Sequence, residues 1–243
     1  FRRVLFRSRW AELMHKLDRA SAAPPACLSA YDYQIQNWDD LNHDAECKHL
    51  LRAALVKMQG IPGVTTSESN EYGLRCAYCE GGIYHEGHIE HFHRKHPDHF
   101  PQLTFDWTNL FLSCGSHDHC GHYKDRPNAP TYDPNQLIKP DEHDPERYLY
   151  FHSNGDVRAC RALNNSDLHR ATETIRVFGL DNKVLSGSRK RAVSFYRNRI
   201  AADLDVIALW PSDEREAYLS DEIKTTCSEP YATTIKHFLQ SVT

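Results

Sequence analysis

The hydrophobic positions change period along the chain. Leu50, Leu51, Ala54, Leu55 and Met58 recur at helical spacing, which predicts a helix from its cap, Asp44, to about Gln59, with Gly60 as its stop. Short apolar runs follow. Ile89 and Phe92 flank two polar residues in a β-like stretch, and residues 110–112 form an apolar strand. Residues 147–152 alternate, Ser153-Asn154-Gly155 supplies a turn, and residues 156–160 follow as a second strand, so a β-hairpin is expected. The period then returns to helical. Ser166 reads as the cap of a helix with Leu168, Ala171, Ile175 and Phe178 on one face and Gly179 at its end. Ser188 opens another, running to about Trp210 with Ala192, Tyr196, Ile200, Leu204 and Ile207 inward, and Pro211 ends it. Ser212 and Pro230 start two shorter helices.

Three segments read as irregular. Pro24-Pro25 blocks a helix in 21–43, because proline lacks the donor and restricts its predecessor. Gly60-Ile61-Pro62-Gly63 and the polar run after it form a linker. Residues 125–144, rich in Pro and Asp, are expected to cross the surface in extended form.

Composition adds limits. The chain has 243 residues, of which 40% are apolar and 11% aromatic, enough for a packed interior and against wholesale disorder. No apolar run approaches the ~18 residues of a spanning helix, so no membrane association is expected. The N-terminal stretch FRRVLFRSR is Arg-rich, lacks a secretory apolar region and is assigned no function, so a cytoplasmic location is expected. The net charge of −4 does not mark a nucleic-acid binder, but its distribution is uneven. Residues 156–200 hold ten Lys/Arg against four acids, and residues 201–243 hold eight acids against three bases. The first stretch could face phosphates and the second could not.

The chemistry concentrates between Cys76 and Lys124, where nine of the sixteen histidines lie. Cys76 and Cys79 are spaced Cys-x2-Cys, and Cys114 and Cys120 are spaced Cys-x5-Cys. Four thiols in two pairs suit a closed, structural Zn2+ site that couples metal affinity to folding. The wide second spacing leaves His117 or His119 as a substitute ligand, with the two cysteines favoured. Cys27, Cys47, Cys160 and Cys227 are scattered and read as free thiols or small core residues. Between the pairs, Glu90-His91 sits in the β-like run. Neutral imidazole is a natural base for deprotonating water at phosphate. A neighbouring carboxylate on a regular strand points to the opposite face, so Glu90 joins it only if the strand end is irregular. Asn109 can bond backbone on both sides of a loop and so pin residues 93–106. A helix after Cys120 would place His122 near its N-terminus, where the dipole favours phosphate.

These residues, in this order, resemble the HNH, or ββα-metal, endonucleases. The resemblance implies that His91 is the general base, that Glu90 and His122 hold a catalytic Mg2+ or another divalent cation, and that Asn109 orients the loop. Glu stands where the family more often has Asp, and the residue directly after the last cysteine is Gly121. That leaves His119 and Asp125 as rivals to His122. A closer likeness extends through residues 75–80, 87–92, 107–114, 120–125, 137–145 and 171–178. It resembles the HNH effectors of Septu-type and retron-associated anti-phage systems (PtuB-like). That likeness implies a nucleic-acid substrate, an ABC/SMC-like ATPase partner and, in the retron form, a reverse transcriptase with its RNA and DNA.

The expected fold is α+β. A small zinc-stapled ββα-metal, treble-clef-like core spans 64–128, with a helical and irregular extension over 1–63 and a C-terminal hairpin plus helical region over 129–243. Most of His85, His88, His93, His96 and His99 read as solvated loop residues, with one available to contact phosphate alongside Arg94 and Lys95, and the Arg189–Arg199 face reads as either solvated or bound to nucleic acid. The competing expectations are a non-catalytic zinc-binding recognition module and a toxin subunit held silent by its partner.

Overall fold

The computed structural model describes residues 16–60, 74–83 and 87–241. The leader and the linker after Gly60 lie outside the described residues. The architecture is α+β and mostly helical. In order come α1 (Trp38–His43), α2 (Ala45–Gln59), β1 (His88–His91), β2 (Leu110–Ser113), α3 (Cys120–Lys124), β3 (Leu149–Phe151) and β4 (Val157–Ala159). Then follow α4 (Asn165–Phe178), α5 (Lys183–Arg199), α6 (Ala201–Ile207), α7 (Ser212–Thr225) and α8 (Ala232–Ser241). Among the described residues no helix is long and apolar enough to cross a membrane.

α2 starts where its sequence says. Asp44 accepts from Cys47 N at 2.9 Å, satisfying a donor that the first turn leaves free. Its buried stripe differs from the expectation. Leu51, Leu55 and Met58 are buried with Cys47, Val56 and Gln59, whereas Leu50 is 46% exposed. Gln59 is buried for a reason. Its side chain accepts from Leu112 N at 2.5 Å and donates to Leu112 O at 3.1 Å and to Arg75 O at 3.3 Å. It thus behaves like a strand residue on the edge of β2, beside Ala77, whose N also donates to Leu112 O at 3.1 Å.

β1 and β2 pair antiparallel in the register His88↔Ser113, Ile89↔Leu112, Glu90↔Phe111 and His91↔Leu110. α3 follows β2 after the turn at residues 114–119. β3 and β4 form the expected hairpin, with Gly155 at φ 92 in the turn, where only glycine is unstrained.

Other expectations fail for local reasons. Residues 21–43 are not all irregular: Asn37 and Asp40 form a capping box that starts α1. Residues 125–144 do not simply cross the surface, since Leu137 and Ile138 are buried and Ile138 N donates to Thr174 Oγ1 at 2.8 Å. α4 is capped by Asn164, not Ser166, and Leu168 is exposed while Thr174 and Val177 are buried. α5 is capped by Asn182, six residues before Ser188, and the long helix breaks at Ile200 into α6. Cys27 and Cys47 are not free thiols; they are disulfide-bonded.

One buried cluster runs from Leu17 through α2, the β1–β2 pair and α3 to Leu185. A second joins Val193 and Tyr196 of α5 to Ile223 of α7 and Leu239 of α8. Arg19 ties the N-terminal segment to the first cluster. It donates to Trp107 O at 2.6 Å and Leu110 O at 3.2 Å, and its guanidinium lies over the Phe111 ring at 4.6 Å.

His237 joins α8 to the second hairpin. Its Nδ1 accepts from Phe151 N at 3.0 Å, and its ring stacks on Tyr150 at 4.6 Å. Burial pushes its pKa down to about 4. The neutral ring is therefore the folded form, and its contribution is full above the unfolded value of ~6.5 and lost as pH falls through about 4. Urea unfolding between pH 7 and pH 4 is expected to cost the wild type on the order of 3 kcal/mol that His237→Gln does not lose; equal pH slopes would remove His237 from that role.

Candidate metal centre and the groups around it

Two chain reversals bring the four cysteines together. In the first, Cys76 N donates to Gly81 O at 2.9 Å and Glu80 N to Cys76 O at 3.1 Å, folding Cys76–Gly81 into a knuckle. Glu80 takes φ 61, a left-handed conformation that costs about 1–2 kcal/mol in a non-glycine residue. Its carboxylate offsets that cost by accepting from Thr233 Oγ1 at 2.6 Å and Thr233 N at 3.1 Å. In the second reversal, residues 114–120 turn from β2 into α3, and Ser113 Oγ accepts from Gly121 N at 3.4 Å.

The Sγ atoms of Cys76, Cys79, Cys114 and Cys120 all lie within 4.8 Å of one another. Cys76 and Cys120 are 3.7 Å apart, and Cys79 and Cys114 are 4.0 Å apart. A tetrahedron with Zn–S bonds of about 2.3 Å has S···S edges of about 3.8 Å. The donor set, its spacing and its burial therefore fit a metal such as zinc. His119 is not among the four. Its Nδ1 lies 3.2 Å from Cys120 Sγ and 3.6 Å from Cys114 Sγ, where it can donate to a ligating sulfur. Burial drives the Cys120 thiol far above its ordinary range, while the facing Cys120, Cys76 and Cys79 thiols hold Cys114 far below its own. A cation would remove that conflict by taking all four as thiolates.

Glu90 and His91 part company. β1 is regular to its end, so the two side chains leave opposite faces. Glu90 turns toward α3. Its Oε2 contacts His88 Nε2 at 3.2 Å and its Oε1 lies 2.9 Å from Lys124 Nζ. Burial alone would raise the carboxyl, but the Lys124 charge and the His88 contact overcome it and bring it down to about 2. Lys124 is fully buried. It also donates to His91 O at 2.9 Å and reaches Asp125 Oδ1 at 2.7 Å, so its charge is held well above the ordinary lysine range despite burial. Gly121 is glycine because Glu90 is close: a Cβ there would run into Glu90 Oε2. The longer Glu side chain fills the space that a residue with a side chain would take after the last cysteine.

His91 turns the other way. Its Nε2 faces Thr104 O at 2.9 Å, and a carbonyl can only accept, so Nε2 carries the proton and Nδ1 the lone pair. Its ring meets the Trp38 edge at 4.4 Å and is 3% exposed. Burial pushes its pKa down to about 3, so the ring is neutral at neutral pH. Asn109 closes the intervening loop. It accepts from His93 N at 2.6 Å and donates to His93 O and Leu103 O at 3.0 Å each.

His122 stacks on His88 at 4.0 Å and on His117 at 4.6 Å, with the rings within 14° of parallel. The expected loop residue His88 therefore belongs to the cluster, through Glu90 on one side and His122 on the other. His93 is also engaged, through Asn109. His96 is exposed, and His85 lies outside the described residues. Asp125 is taken up by Lys124 and by Arg94 Nε at 3.0 Å. Among the described residues, only the four thiols bring three or more ligand atoms within coordinating range. Lys124 carries no motif signal in the sequence; its role comes from α3 packing it against Glu90 of β1, far from it in the chain.

No protein-family model matches the chain, and no curated protein matches it.

The Glu90–Lys124 pair leads to a mutational expectation. Removing one partner of a buried pair leaves the other uncompensated, at a cost of about 3–5 kcal/mol. Lys124→Met is expected to lose that much in urea unfolding, and Glu90→Gln/Lys124→Met to recover most of it. If the double variant is no more stable than the single one, the two groups are not coupled.

Proposed function

We propose that the chain is a metal-dependent HNH endonuclease that hydrolyses phosphodiester bonds in nucleic acid. In this reading it is the effector of a Septu-type or retron-associated anti-phage system, beside an ABC/SMC-like ATPase. The observation that carries it is the order and geometry of the central unit: an antiparallel pair ending in Glu90-His91, then a short helix, with four thiols fastening the helix to the knuckle that precedes the pair. Such a unit presents a neutral imidazole, a buried carboxylate and a second imidazole, His122, from elements that cannot drift apart.

A divalent ion, Mg2+ in the simplest case, would be held by Glu90 and His122 and would neutralise phosphate charge. The chain's own groups do the rest. Thr104 O holds the His91 tautomer with Nδ1 as the acceptor for a proton from water. Asn109 keeps the 93–106 loop, and with it the Thr104 carbonyl, in place. Lys124 keeps Glu90 ionised.

One observation favours a second reading. Glu90 is already neutralised by Lys124, and His91 lies behind Trp38. A zinc-stapled recognition module with no chemistry needs no more than that. The two readings separate in a cleavage assay on labelled DNA and RNA, with and without the ATPase. The nuclease reading expects cutting that EDTA abolishes and Mg2+ restores. It also expects His91→Ala to slow cutting at least about 100-fold while bound zinc and the far-UV spectrum stay unchanged. Equal cutting by His91→Ala removes His91 as the base, and no cutting under any condition leaves the recognition module.

A further inference from the structure

α5 carries no acidic residue over its whole length, and the Arg189–Arg199 face divides in an unexpected way. Arg189 is buried: it donates to Leu180 O at 2.7 Å and lies over the Phe151 ring at 4.9 Å. It is not part of any surface. The outward stripe is Arg191, Phe195 and Arg199, each one helical step of four from the next. Arg191 and Arg199 are thus about 12 Å apart along the axis, with Phe195 midway.

A single exposed apolar residue is ordinary. Phe195, however, is 71% exposed and lines a groove of about 290 Å3, whose opposite wall is Glu229, Pro230, Tyr231 and Ile235. The volume is at the lower edge of small-ligand sites, about 300–1,000 Å3, so it admits a splayed nucleotide and not a duplex. The two cations along it differ in how they are held. Among the described residues Arg191 pairs with no carboxylate and donates only to Ser188 Oγ at 2.9 Å. Arg199 faces Glu229 at 3.9 Å, a long contact, and stacks over Tyr196 at 4.5 Å. The groove also abuts the metal centre. Tyr231 N donates to Glu80 O at 3.0 Å, and Glu80 follows Cys79 in the knuckle.

We propose that this groove binds single-stranded nucleic acid, with a base stacked on Phe195 and backbone phosphates on Arg191 and Arg199. An aromatic face flanked by cations suits any base, because every base has a π-face; α5 offers no carboxylate, and the carboxylate on the opposite wall, Glu229, faces Arg199. At about 3.4 Å per stacked nucleotide, the 12 Å between the arginines spans three to four nucleotides. The choice of polymer rests on the nuclease reading.

The test is fluorescence anisotropy with a short fluorescein-labelled mixed-sequence strand, as DNA, as RNA and as duplex, on full chains that also carry His91→Ala. Phe195→Ala is expected to weaken single-strand binding about 5- to 100-fold, the size of one lost stacking contact, and Phe195→Tyr to restore it. Arg191→Gln and Arg199→Gln are each expected to flatten the salt dependence. Single-strand affinity that ignores Phe195→Ala overturns the proposal. So does sedimentation showing Phe195-dependent self-association with no effect of the oligonucleotide, which would make the groove a contact between copies. Cleavage of the same strands by chains with His91 intact keeps the readings apart. Phe195-dependent binding with no cleavage either with or without the ATPase sinks the nuclease and leaves the groove, and cleavage without Phe195-dependent binding does the reverse.

Discussion

Four sulfur atoms meeting in a space of less than 5 Å are the constraint on which the rest of this structure depends. The knuckle at Cys76–Gly81 and the turn into α3 each leave backbone in left-handed conformations, at Glu80 and at Cys120. Neither segment has an apolar run long enough to hold such a turn by burial. Their sulfurs converge instead, and the convergence decides where β1, β2 and α3 sit. Around this point the protein spends side-chain chemistry on backbone. Gln59 closes the edge of β2, Glu80 anchors the first turn of α8, and Asn109 closes the loop between the strands.

The second constraint is charge. A buried carboxylate, a buried ammonium and three stacked imidazoles occupy one side of β1. Glu90 and Lys124 cancel one another, and Gly121 makes the room that lets them meet. On the other side of the same strand, His91 is oriented by a carbonyl and shielded by Trp38. A regular strand separates these groups by its pleat, and their shared support is the Lys124 ammonium, which reaches both Glu90 and the His91 carbonyl. Any chemistry at this strand therefore has to work across its end and not on one face.

Much of this was legible from the residues. The cysteine pairs, the Asn-Gly turn of the second hairpin, the start of α2 at Asp44 and its stop at Gly60 follow from local rules that act within a few residues. What was not legible depends on tertiary partners. Leu50 and Leu51 are equivalent in hydrophobicity, and only the position of β2 decides that Leu51 is inside. Asn164 and Asn182 outrank Ser166 and Ser188 as caps because chain direction before the helix, and not residue type alone, aims the side chain. Arg189 reads as a surface cation until Phe151 and Leu180 are seen to enclose it. His88 reads as a loop residue until Glu90 and His122 flank it. The disulfide between Cys27 and Cys47 joins residues twenty apart, a pairing that scattered single cysteines do not announce.

X-ray absorption at the zinc edge of the purified protein tests the central claim most directly. If the four thiols hold the fold together through one ion, the spectrum shows one zinc per chain with four sulfur neighbours at about 2.3 Å, and Cys114→Ser reduces the sulfur count by one. A folded chain with no bound metal, or one whose metal has two or fewer sulfur neighbours, would contradict it.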